Sequence, residues 1–117
     1  MSELIDREAM DELKSFMGAK LPEVIEVYLR NAQKYVDTIQ SSYEGGDAQS
    51  VADAAHPLKS SSGNLGLVAL SELSLSIEIS AKEVVAGEKT LDALAEDVGK
   101  INALYQESSA LLESELE

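Results

Sequence analysis

The chain is 117 residues long, which is room for one hydrophobic core, and with 44% hydrophobic residues it is too apolar to stay disordered. Its 22 acidic side chains against 9 basic ones give a net charge of -13, so the surface field repels nucleic acid and anionic membrane. Cysteine is absent, which removes disulfides and thiolate metal sites, and no apolar run approaches the roughly 20 residues of a membrane-spanning helix.

Glu3, Asp6, Arg7 and Glu8 stand where a secretion signal would need an apolar stretch, so a cytoplasmic protein is expected. Ala, Leu, Glu, Ser and Lys dominate, and no useful strand-like alternation occurs, which favours helix almost throughout. Breaks are expected at Gly18, at the Gly45 and Gly46 pair, at Gly66 and at Gly87.

In chain order, a first short helix starts after Asp6 as N-cap and carries Met10, Leu13 and Met17 on one face. A long second helix follows. Its stripe is Leu21, Ile25, Tyr28, Ala32, Tyr35, Ile39 and Tyr43, with Pro22 tolerated in the first turn. Asp47 caps a third helix with Val51, Ala55, Leu58, Ser62 and Leu65 on its stripe. The fourth carries Leu70, Leu73, Ile77, Ala81 and Val84. Thr90 is the expected cap of the fifth, which runs through Leu91, Leu94, Val98, Ile101, Tyr105, Ser108 and Leu112 before fraying in the acidic tail 113–117. The pattern predicts one domain over residues 1–117: an all-α antiparallel four-helix bundle with a short additional N-terminal helix.

The chain has one histidine, His56. At about 3.6 residues per turn, Ala52, His56, Lys59, Ser60 and Gly63 share a face opposed to the apolar stripe, so the imidazole is expected to point out of the core. Imidazole has a reference pKa of about 6.5, and its uncharged form is a nucleophile near neutral pH. A phosphoryl group on the ring would be a dianion in an acidic protein, with the Lys59 ammonium one turn away to offset it. Small residues at Ala52, Ser60 and Gly63 would let a second protein come close. Asp53, three residues before the ring, is expected to face solvent rather than orient the imidazole. One histidine excludes the multi-histidine sites of di-iron bundles, so no metal site is expected, and neither a Gly-rich phosphate loop nor a triad occurs.

His56, Lys59, Ser60, Ser61, Ser62, Gly63, Leu65 and Gly66, preceded by Gly46, Asp47, Ala54 and Ala55, resemble the signature of the histidine-phosphotransfer (HPt) domains of two-component phosphorelays. The resemblance implies a four-helix bundle with the acceptor in the middle of the third helix, phosphorylated at Nε2. It implies a phosphoryl carrier without ATP-binding or kinase machinery, and no cofactor of its own. Its partners would be the receiver domain of a response regulator or a hybrid sensor kinase, and that receiver would supply the Mg²⁺. A monomer is expected. Two residues depart from the signature. Pro57 directly follows the histidine and is expected to kink the helix, and Ser60 stands where glycine is frequent. A helical adaptor that binds a signalling partner without phosphorylation is the alternative.

Overall fold

The computed structural model describes residues 4–116, and among them helices and turns form one bundle without a strand. Helix α1 spans Arg7–Met17 and passes through a 3₁₀ turn, Gly18–Lys20, into α2, Leu21–Glu44. Helices α3 (Ala48–Asn64), α4 (Val68–Val85) and α5 (Ala95–Ser114) follow. The links at 45–47 and 65–67 are too short for anything but antiparallel neighbours. Helix α2 packs on α3 and α5, and α4 packs on the same two, so the four long helices close a ring. Among the described residues no helix is long and apolar enough to cross a membrane.

The apolar stripes explain the closure. Ile25, Ala32 and Ile39 of α2, Val51, Ala55 and Leu58 of α3, Leu70, Ile77 and Ala81 of α4, and Ile101 and Leu112 of α5 are all fully buried in one cluster. Tyr28 and Ser62 belong to the same stripes and satisfy each other through a 2.8 Å hydroxyl–hydroxyl hydrogen bond. Burial pushes the Tyr28 phenol up to about 12, so it remains protonated. Tyr35 and Tyr43 are partly buried at the edge of the core.

The helix starts follow the capping rules. Asp6 accepts from the Ala9 N–H at 3.2 Å and Asp47 from the Ser50 N–H at 3.0 Å, each satisfying a donor that a helix end leaves free. Thr90 differs from expectation. It makes no side-chain cap, and the chain first forms a 3₁₀ turn, Leu91–Leu94, that buries Leu94 before α5 begins. The acidic tail differs as well. Glu115 is held at the end of α5 by Arg7 at 2.6 Å and Lys14 at 2.6 Å, so cations of α1 clasp the tail; Glu117 lies outside the described residues.

Pro57 lies inside one uninterrupted helix, and His56 itself remains helical. The missing N–H at Pro57 deprives only the carbonyl of Asp53, an exposed residue that water can reach. Ala55 and Leu58, both fully buried, anchor the helix on either side of the proline.

Gly66 ends α3 with φ +76°, a backbone conformation that favours glycine. A Cβ there would also come within 3.3 Å of both Ala9 Cβ and the Asp6 carbonyl, while the Asp6 N–H donates to the Gly66 carbonyl at 2.7 Å. The foot of α3 is therefore the seat of α1.

Candidate functional site

The core-facing stripe of α3 fixes the rotation of the helix and sends His56 to the surface, where its side chain is 61% exposed. The Nδ1 of the ring lies 2.7 Å from Oε2 of Glu78 on α4. Glu78 is nearly enclosed, with its side chain 5% exposed, and it also accepts from Lys59 Nζ at 3.2 Å through Oε1 and from Lys82 Nζ at 3.1 Å through Oε2. Burial pushes the Glu78 carboxyl up, but hydrogen bonds from Lys82, His56 and Lys59 together outweigh it and hold the group below its usual value. Glu78 is therefore a carboxylate at neutral pH.

An ionised carboxylate can only accept, so Nδ1 must carry the proton that it shares with Glu78. In the neutral ring the lone pair is then on Nε2. The site thus presents an aligned nitrogen nucleophile beside two ammonium groups on an otherwise acidic protein.

Lys59 lies beside His56 as its spacing predicts, although its ammonium rests on Glu78. Ser60 is exposed one turn beyond His56. Ala52 is not on that face. It is 2% exposed and part of the hydrophobic core, so it offers no surface for docking. Gly63 is exposed, yet a Cβ on it would meet Ser71 Oγ of α4 at 3.2 Å. That hydroxyl donates to the Lys59 carbonyl at 3.0 Å, so the small residue at 63 serves the contact between α3 and α4. Asp53 pairs with Gln49 at 2.9 Å and leaves the orientation of the ring to Glu78.

Sequence reasoning missed Glu78 and Lys82. The available signal was a glutamate at the edge of the α4 stripe, directly after Ile77, with a lysine one turn later. Charged residues beside a buried stripe are usually solvated, and only the register between α3 and α4 turns this pair toward His56.

The model of the family described as "Hpt domain" matches residues 23–113, which hold the four long helices almost entire and every residue of the site just described. The chain belongs to the Hpt domain family. Phosphorelay protein LuxU from two strains of Vibrio vulnificus is similar to it, each 28% identical over 111 residues that cover 94% of this chain and 93% of the relative. In structure the Hpt chain resembles histidine-containing phosphotransfer protein B (HptB) from Pseudomonas aeruginosa PAO1. The TM-score is 0.86 at 19% identity, covering 98% of this chain and 96% of that one, a likeness that bears on the fold. Histidine phosphotransfer within a phosphorelay is the function of this Hpt protein, and such proteins are phosphocarriers rather than kinases.

Proposed function

We propose that His56 is the phosphoacceptor, that Nε2 is the attacking atom, and that the phosphoryl group comes from the phospho-aspartate of a receiver domain and goes on to a response regulator. One observation carries the reading: the 2.7 Å contact between Nδ1 and the Glu78 carboxylate, which leaves the Nε2 lone pair on the exposed ring.

The step balances without moving a proton. Nε2 attacks phosphorus, the N–P bond forms, the P–O bond to the aspartate breaks, and the aspartate leaves as a carboxylate. The imidazole keeps its Nδ1 proton and becomes a cation. Glu78, already bonded to that proton, offsets the new charge, and Lys59 offsets the phosphoryl dianion. In this largely dissociative chemistry a carrier need supply little beyond an aimed nucleophile and nearby charge.

The protein itself needs no cofactor in this scheme, and the Mg²⁺ of the exchange belongs to the receiver. Among the described residues no three His, Cys, Asp or Glu side chains gather as a metal site. Ser60 remains as a compact, exposed position over which the receiver comes close, with the exchange placed in the cytoplasm and the carrier a monomer and not an enzyme.

The experiment is to add a phosphorylated receiver and follow label on the wild-type chain and on His56→Gln. Acid-labile, alkali-stable phosphate should appear on the wild type and be absent from the folded variant. Full labelling of His56→Gln would move the acceptor elsewhere, and no labelling of either chain would favour the adaptor.

A further inference from the structure

The three cationic or polar hydrogens that meet Glu78 are not equivalent. Lys59 takes Oε1 and is largely covered, its side chain 28% exposed. Lys82 shares Oε2 with Nδ1 of His56 and is 66% exposed, at the rim of the site one turn beyond Glu78 on α4. It is the freer ammonium, on a flexible four-carbon stem, and it rests on the very oxygen that orients the acceptor ring.

We propose that Lys82 is a second phosphoryl-site cation, held on Oε2 of Glu78 while His56 is unloaded and transferred to the phosphoryl oxygens once Nε2 carries phosphate. The inference rests on His56 being the acceptor. The charges argue for the exchange. In the nucleophilic form of the ring, which is uncharged, the nearly enclosed carboxylate of Glu78 has the two lysines as its counter-ions. After loading, the ring is a cation whose Nδ1–H faces Oε2, so the carboxylate gains a counter-ion within the 2.7 Å contact it already makes. Lys82 is then surplus at Glu78. The phosphoryl dianion, on the opposite edge of the same ring, has the greater need of it. The site holds one cation in excess before loading and is balanced after it, and only one exposed side chain moves.

The test uses the full chain and potassium phosphoramidate, a small-molecule donor that phosphorylates histidine without a receiver. The loaded fraction at equilibrium with phosphoramidate and ammonium is read by ³¹P NMR for wild type, Lys82→Ala and Lys82→Arg, and the tautomer of the unloaded ring by ¹⁵N NMR. Lys82→Ala should lower the loading constant about fivefold, the scale of one partly exposed charge pair, with the tautomer unchanged. Lys82→Arg should return it to within about twofold of wild type, since the guanidinium keeps the charge and can reach phosphate. Loading of Lys82→Ala equal to wild type overturns the proposal. So does an arginine variant as poor as alanine, which would make the effect one of shape. If the wild type takes no phosphate at His56, the acceptor assignment itself fails, an outcome separate from these two.

Discussion

Glu78 Oε2 stands 2.7 Å from His56 Nδ1 across the α3–α4 contact, so the imidazole of one helix is aimed by a carboxylate of the next. Glu78→Ala should therefore leave the bundle folded but release the ring to water, and both neutral tautomers should appear in ¹⁵N NMR. Phosphorylation should slow by roughly tenfold or more, since losing one hydrogen bond to the forming imidazolium costs about 1.5 kcal/mol. Glu78→Gln should fall between the two, because its carbonyl can still accept from Nδ1–H but cannot offset the imidazolium charge. A normal rate with a mixed tautomer would show that alignment by Glu78 does not matter.

What was legible in the sequence is what lies within one helix. The turn from Ala55 to Leu58 settles that His56 faces outward, and Asp6, Asp47 and the glycine breaks settle where the helices begin and end. What was illegible is what crosses between helices. Glu78 is twenty-two residues from His56, and only the packing of α4 on α3 makes them neighbours. Packing between helices likewise makes Ala52 a core residue, and the approach of α1 to the end of α5 gives Glu115 two cationic partners in place of a frayed end.

Gly63 is set by packing, and a double-mutant cycle with Ser71 should show it. Gly63→Ala gains helix propensity of about 1 kcal/mol but presses a Cβ against Ser71 Oγ at 3.2 Å. That hydroxyl is held by the Lys59 carbonyl and cannot retreat freely. With Ser71→Ala in place the nearest remaining atom is the Ser71 Cβ at 3.9 Å, an ordinary contact. Gly63→Ala should therefore be more stabilising in the Ser71→Ala background by about 0.5 to 1 kcal/mol in urea unfolding. Strict additivity would mean that the two positions do not press on each other.

Ser60 is the cleaner probe of docking, since it is exposed one turn from His56 and no contact of the core depends on it. Ser60→Leu should leave the melting temperature nearly unchanged and leave loading by phosphoramidate intact. Transfer to and from a receiver should fall roughly tenfold, as a branched side chain holds the two reacting atoms apart. Unimpaired receiver transfer would place the docking surface on another side of the ring.

The clasp between α1 and the end of α5 should give the fold an acid-sensitive component whose sign follows from Glu115. Hydrogen bonds from Arg7 and Lys14 hold its carboxyl down to about 2, against an ordinary value of 4.5. Between those two values the unfolded chain binds a proton that the folded chain does not, so stability from this group rises with pH across the window. It is fully present above about 4.5 and is lost as pH falls through about 2. Glu115→Gln should therefore be less stable than wild type at neutral pH, and the gap should narrow through that window and close at its acid end. Because the carboxylate pins α1 onto the end of α5, hydrogen exchange in the variant at neutral pH should speed up first over residues 7–17. The midpoint of urea unfolding for the two chains, measured from pH 7 down to pH 2, checks the sign: a gap that stays constant with pH would assign the loss to altered packing and not to the Glu115 charge.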